Sequence, residues 1–345
     1  MVLLDIDAGR QPLLAADNVL GLRWRCAQSH IAPAIADALT TNYTGLGWSA
    51  AFVQPLLANL TGCRELALDD LHGATLLPPL ATALATGCPE VGDPDRPWEP
   101  ARSAVPLRVL DLEGSLLEDA GAAGLGPMFP PCPTLEAVHA PANRISDDGA
   151  RALAAALYEP PHPGVRLLDL HGNNINDYGA DGLARLLMLP APPRTPVPLA
   201  ELRIHRNRIT AIGFRLLAEG LRDNVLLTTL MLSGNPGGDA GVVALADALV
   251  YNRHPDRPSA LRRLYLTAVN ISDVGARALL DALSQPNSPP LEALVLDGNP
   301  MVSAPLLEAL EAVVSARRAT IPALGEQATG LFRVAIGADG GSQGS

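Results

Sequence analysis

The chain contains no lysine, for all 25 of its basic residues are arginine. That absence excludes Schiff-base chemistry and the lysine-dependent phosphate loops of nucleotide-hydrolysing enzymes. Aromatic residues make up only 3% of a sequence that is 48% hydrophobic. Small aliphatic side chains must therefore fill the core, which suits thin stacked layers better than a globule built around rings. Positive charge is also scarce: the formal net charge is −11, so a nucleic-acid backbone is not expected as the main ligand.

Clustered cysteine is missing as well. Cys26, Cys63, Cys88 and Cys132 are scattered and form no C-x-x-C pair, a spacing that fits reduced thiols in a cytosolic compartment. No apolar run reaches the roughly 18 residues of a membrane span. Asp5 and Asp7 interrupt the apolar start, which makes a poor signal peptide. The expected location is cytoplasmic, without a membrane partner.

What is present is a repeat. The stretch LAELRIHRNRITAIGFRLLAEGL (199–221) reads L-x-x-L-x-I-x-x-N-x-I and continues into a helical segment opened by Gly213. Leu199, Leu202, Ile204 and Ile209 are expected to face a narrow core, and Asn207 to stand where the chain leaves a short strand. One such unit cannot cover its own apolar face and needs stacked neighbours. The pattern starts eight times, at Cys63, Leu107, Leu135, Val165, Leu199, Leu227, Leu261 and Leu291, and its shortest spacing, 28 residues, occurs twice.

The asparagine slot holds Asn143, Asn173, Asn207, Asn235 and Asn299, but Leu71, Ser115 and Val269 in the other three repeats. A buried asparagine there can bond backbone groups of adjacent turns as a ladder, a structural role. Gly121, Gly149, Gly179, Gly213, Gly241 and Gly275 follow the slot by six residues. Apolar residues then recur with a 3.6-residue period, as in Ala150, Leu153, Ala154 and Leu157. Asp148, Asp239 and Asp273 lie near the helix starts, where carboxylates can cap exposed N–H groups.

These signals divide the chain into an irregular N-terminal cap (1–62), eight repeats (63–316), a C-terminal cap (317–336) and a flexible tail (337–345). The cap carries a candidate strand VLGLRW (19–24) and candidate helices IAPAIADAL (31–39) and SAAFVQPLLANL (49–60); LFRVAI (331–336) is a candidate closing strand. Proline-rich returns such as MLPAPPRTPVP (188–198) end the helices.

Strand alternation places the third, fifth and seventh residues of each repeat on one accessible face, expected to be concave. Its early part is acidic, through Glu65, Asp69, Asp70, Asp111 and Glu113. Its middle carries His139, Asp169, His171, Arg203, His205 and Arg206, and its later part Arg263 and Tyr265. The acidic group can steer a protein partner with a basic segment. The histidines with Asp169 raise a metal site, but parallel side chains on a flat sheet do not converge, so no metal and no cofactor is expected. No nucleophile elbow, H-E-x-x-H or Gly-rich nucleotide loop occurs. Asp69/Asp70 and Asp147/Asp148 are sequence neighbours rather than opposed acids, so no catalytic residue is assigned.

The segments LDLHGNNINDYGADGLARLL (168–187) and LRIHRNRITAIGFRLLAEGL (202–221) resemble the ribonuclease-inhibitor-like leucine-rich repeat family, over about residues 63–316. The resemblance implies an α/β solenoid, a horseshoe with a parallel inner β-sheet and outer helices, and members that mostly bind proteins. They include ribonuclease inhibitors, the sensor ends of NOD-like receptors, Ran GTPase-activating proteins and repeat proteins of cilia and flagella. No NACHT-type segment is present, so a complete receptor is not expected, and the cysteine richness of ribonuclease inhibitors is lacking. The Ran-activating group carries an essential arginine after an aromatic-Thr-Gly step and has an acidic tail. Here Tyr43-Thr44-Gly45 is followed by Leu46 and the tail is rich in Gly and Ser. The resemblance thus implies a non-catalytic scaffold, with a cytoskeletal or axonemal assembly as the narrower expectation and Ran-type activation as the alternative.

Overall fold

In each repeat a short apolar-centred triplet sets the local conformation. Val109-Leu110-Asp111, Ala137-Val138-His139 and Glu201-Leu202-Arg203 bury the middle residue and leave both flanks part-exposed, the two-sided pattern of a strand with one face in the core. In the computed structural model these triplets are strands. The structure describes strands Leu22–Cys26 and Cys63–Leu68 and residues 108–129, 132–158, 164–188, 196–251 and 259–318. The candidate helices at 31–39 and 49–60 and the strand at 331–336 lie outside the described residues.

The chain forms two compact units, Met1–Ile175 with Pro190–Leu199, and Asn176–Leu189 with Ala200–Ser345. The first holds strands β1 (Leu22–Cys26), β2 (Cys63–Leu68), β3 (Val109–Asp111), β4 (Ala137–His139) and β5 (Leu167–Asp169), side by side in that order. β2 to β5 are parallel, and β1 runs antiparallel to β2 with Arg25 opposite Glu65. The described first strand begins three residues later than expected, on the alternating segment LRWRC. Helices α1 (Glu118–Gly124) and α2 (Asp147–Tyr158) follow β3 and β4. α2 buries Ala150, Leu153, Ala154 and Leu157, the i, i+3, i+4, i+7 stripe of an amphipathic helix.

The second unit begins with α3 (Asp177–Leu187) and alternates β6 (Glu201–Arg203), α4 (Ala211–Asp223), β7 (Thr229–Met231), α5 (Gly238–Val250), β8 (Arg263–Tyr265), α6 (Asp273–Ser284), β9 (Ala293–Val295) and α7 (Ala304–Arg318). β6 to β9 are parallel, and α3 to α7 pack in sequence order. Leu202, Ile204, Ile209, Phe214 and Leu217 are fully buried between the two layers of one repeat. Parallel strands on one side and helices on the other, repeated with short connections, make this a leucine-rich repeat solenoid.

The asparagines join successive turns. Asn173 Oδ1 accepts from the N–H groups of Asn143 (2.9 Å) and Ile145 (3.0 Å), and its Nδ2 donates to the carbonyls of Ala140 (3.0 Å) and Leu170 (2.9 Å). Asn235 repeats the pattern with the Ile209 N–H and the carbonyls of Ile204 and Leu232. Where the slot holds Val269, its N–H is still taken by Asn299 Oδ1 at 3.0 Å, so the missing amide interrupts one rung and not the next.

The helix caps differ from expectation. Asp239 does not cap the helix it begins; it caps the following one, and Asp148 is exposed, with Asp119 in the role expected of it. Thr210 and Ser272 accept the Ile212 and Val274 N–H groups of those following helices, and the acids take the Gly213 and Gly275 N–H groups beside them. The acid reaches sideways. Asp119 bonds Ser146 and Gly149, Asp177 bonds Thr210 and Gly213, and Asp239 bonds Ser272 and Gly275. This explains the recurrent glycine: a Cβ at Gly213 would stand 2.6 Å from Asp177 Oδ1, and one at Gly149 2.5 Å from Asp119 Oδ1.

Candidate functional site

The part-exposed strand positions form rows set by register. In the first unit, Glu65, Val109, Ala137 and Leu167 occupy one row and Ala67, Asp111, His139 and Asp169 the next. Adjacent strands lie about 4.8 Å apart, so Asp111, His139 and Asp169 are a carboxylate, an imidazole and a carboxylate in sequence. Glu113 is exposed just beyond, its N–H bonded to Asp111 Oδ1 at 3.2 Å. Glu65 falls in the neighbouring row, and Asp69 and Asp70 lie outside the described residues.

Asp169 is the most enclosed acid of this face, with its side chain only 4% exposed against 25% for His139 and 30% for His171. His171 Nδ1 is 2.8 Å from Asp169 Oδ1, which also accepts the His171 N–H at 3.1 Å. His139 Nδ1 stands 3.8 Å from Oδ2, a distance for charge attraction rather than a hydrogen bond. Burial alone would raise the Asp169 carboxyl pKa. The His139 imidazole and the two His171 contacts outweigh it and hold the group well below the usual carboxylate range. Both imidazoles thus turn toward one carboxylate rather than toward a shared empty point. Among the described residues no group of three or more histidine, cysteine or acidic side chains is placed to hold a metal.

The second unit presents a different face. Arg203, Met231, Tyr265 and Val295 share a register row, and Glu201, Thr229, Arg263 and Ala293 share the adjacent one. Met231, Tyr265 and Val295 are part-exposed, so three neighbouring strands carry an apolar stripe. Arg203 Nε is held by Glu201 Oε1 at 2.6 Å, and the half-exposed Arg263 lies 3.5 Å from Glu292. His205 is part-buried, two residues past β6. Arg206 is exposed on the turn in the left-handed region, φ 54°, with its N–H bonded to the Ser233 carbonyl.

Sequence reading assigned Tyr265 but passed over Met231 and Val295 as its partners. Their signal was available, because all three occupy the fifth position of consecutive repeats. It also missed Glu292, a second-position residue that pairs with Arg263 and that strand alternation alone does not bring forward. Cys132 is buried and desolvation pushes its thiol up to about 12, so it stays protonated at neutral pH. Among the described residues no helix is long and apolar enough to cross a membrane.

No family model matches the chain, and no curated protein does. Among solved structures, a chain from the yeast Rad7–Elc1 complex is similar at 15% identity and a TM-score of 0.45, over 80% of this chain. The match spans 58% of that chain's length. An internalin, InlF of Listeria monocytogenes, is similar at 16% identity and a TM-score of 0.39, over 76% of this chain and 68% of its own. Neither likeness carries a functional assignment.

Proposed function

We propose that the chain is a non-catalytic protein-interaction scaffold that receives partners on the part-exposed strand face of its repeats. The carrying observation is the pair of register rows. Side chains from successive strands line up by chemical type, with Asp111, His139 and Asp169 in one unit and Met231, Tyr265 and Val295 in the other. A flat, ordered row offers many shallow contacts and suits a polypeptide partner. The acids Asp111 and Glu113, with Glu65 in the neighbouring row and Asp69 and Asp70 as further acids of the sequence, suit a segment rich in arginine or lysine. The Arg203, Arg263 and Tyr265 side chains, with His171, His205 and Arg206, complete the proposed contact set.

The test is charge reversal followed by affinity purification. Asp69, Asp111 and Glu113 changed together to arginine should remove the partners that the unaltered chain retains. Retention of every partner would end the assignment of this face.

The narrower class, ribonuclease-inhibitor-like, is supported by a full α-helix of 11 to 13 residues in α2 through α6 and by the 28-residue spacing. A place in a cytoskeletal or axonemal assembly is proposed alongside it and is tested by co-sedimentation with microtubules; a chain left wholly in the supernatant ends that reading. No observed geometry favours Ran-type GTPase activation: the position after Tyr43-Thr44-Gly45 holds Leu46 in place of the arginine of that group.

A further inference from the structure

β9 stands last in the sheet, and its outer edge repeats a pattern that every earlier turn of the second unit completes. Ile204 and Arg206 donate their N–H groups forward to the carbonyls of Met231 and Ser233. Leu232 and Gly234 donate to those of Tyr265 and Thr267, and Leu266 and Ala268 to those of Val295 and Asp297. In return, the Thr228 carbonyl accepts from Arg262 and Arg263, and the Arg262 carbonyl from Glu292 and Ala293. The equivalent groups beside β9 are the N–H groups of Leu296 and Gly298 and the carbonyl of Glu292. Among the described residues none of these three has a hydrogen-bond partner.

The side chains at this edge agree with the backbone. Ser233 Oγ accepts the N–H of Thr267, its counterpart on the next turn, at 3.0 Å. Asp297 holds the same position after β9, and its Oδ1 is buried with nothing donating to it among the described residues. Arg263, on the neighbouring strand, is drawn to Glu292 instead, at 3.5 Å. The core is also less closed here. Leu264 and Leu266 are fully buried, whereas Leu294 and Leu296 keep 3% and 4% exposure. With Leu307, Leu310 and Val314 of α7 they line a shallow apolar groove, bordered by Glu311 and Ser315. Open donors, an orphaned buried acceptor and an apolar groove are together what an added strand covers.

Chain length and charge select the occupant. Residues 331–336, which lie outside the described residues, read LFRVAI. Strand alternation gives Phe332, Val334 and Ile336 one face and Leu331, Arg333 and Ala335 the other. The first set suits the groove, and the second puts Arg333 on the face that carries Asp297. Residues 319–330 separate this segment from the end of α7, a return as long as the 251–262 stretch that joins α5 to β8. Arg317 fixes where that return starts, its Nη1 donating to the Ser288 carbonyl at 3.0 Å. A strand that follows β9 through a helical crossover joins it in parallel. We infer that segment 331–336 of this same chain pairs with the outer edge of β9, takes the Leu296 and Gly298 N–H groups, and supplies an N–H to Asp297 Oδ1. The expected C-terminal cap thereby becomes a strand on a named edge, independent of what the strand face binds.

The test is amide hydrogen exchange on the purified full chain, resolved residue by residue by NMR. The Leu296 and Gly298 amides should be protected as those of Leu266 and Ala268 are. Methyl contacts between Val334 and Leu294 or Leu296 should appear in the same sample. The joint change Phe332→Asp and Val334→Asp should speed exchange at Leu296 and Gly298 by about tenfold or more and leave Leu232 and Gly234 unchanged. Arg333→Glu should act in the same direction; if the double variant unfolds the chain, this one reads the same edge. Fast exchange at Leu296 and Gly298 in the unaltered chain, absence of the methyl contacts, or indifference to both variants overturns the inference. So does protection that falls on dilution in step with the dissociation of a dimer, which would make a second copy the occupant.

Discussion

Asp239 opens one helix and caps the next: its Oδ1 accepts the Ser272 N–H at 2.8 Å and its Oδ2 the Ser272 hydroxyl at 2.7 Å. The same carboxylate takes the Gly275 N–H at 2.9 Å, in the space a Cβ would need. Partial burial would raise its pKa, but the Ser272 side chain, the Ser272 N–H and the Gly275 N–H prevail and lower it. Each repeat thereby adds an acceptor to its neighbour's helix start, beside the Ser272 hydroxyl that takes the Val274 N–H, which couples helix formation to stacking.

Asp239→Ala should lower stability by about 1–2 kcal/mol at neutral pH, the usual cost of a lost cap. Because the folded pKa is depressed, the carboxylate's contribution is fully present above the ordinary value of about 3.9 and is lost as pH falls below it toward the folded value. The gap between the variant and the unaltered chain in urea unfolding should accordingly be wide at pH 7 and narrow at low pH. A gap that does not change with pH would mean that Asp239 acts through packing rather than charge.

The ladder makes a sharper prediction at Asn299. Its Oδ1 accepts from Val269 and Ile271, and its Nδ2 donates to the carbonyls of Leu266 and Leu296. Asn299→Ala strands these buried groups at about 1–3 kcal/mol for each one left without a partner. The loss should be local, because repeats interact mainly with their nearest neighbours. Hydrogen exchange should speed up at the Val269 and Ile271 amides while the amides of Asn143 and Ile145 keep their protection.

The repeat register was legible because it rests on buried residues with a fixed period. Leu202, Ile204, Asn207 and Ile209 could each be placed from one segment, and all four are buried. The cap network was not legible. It depends on which of two acceptors holds a helix start, and Ser272 with Asp239 can be ordered only when both turns are in view. The site was half legible: alternation assigns Asp111, His139 and Asp169 to one face, but the near-complete burial of Asp169 follows from side-chain contacts that no period encodes.

One backbone position separates conformational cost from contact. Before the asparagine slot, Gly114, Ala142, Gly172, Arg206, Gly234, Ala268 and Gly298 all have positive φ, between 52° and 70°. A Cβ at Gly172 would meet nothing nearer than 3.7 Å. Gly172→Ala should therefore cost about 1 kcal/mol from backbone strain alone, and Ala268→Gly should raise stability by a smaller amount of the same origin. Thermal unfolding of the two variants should shift in opposite directions. Shifts of one sign would show that the turn conformation is not what sets the preference.

The last prediction concerns Asp169, the buried acid between two imidazoles. With its pKa held low, the ionised form is the one that the fold stabilises, and that stabilisation is present above the ordinary carboxylate range and disappears as pH falls through the folded value. Asp169→Asn keeps the shape and an acceptor for the His171 N–H, yet removes the negative charge facing His139 and His171. It should cost about 1.5–3 kcal/mol at neutral pH, the range for a hydrogen bond to a charged group, and should flatten the acid limb of the stability profile. The same substitution removes a buried charge while leaving the part-exposed Asp111 and the exposed Glu113 in place, so binding of a basic segment should persist. If binding is lost while urea unfolding shows the fold intact, Asp169 is itself part of the recognition surface, and the accessible carboxylates are not sufficient for it.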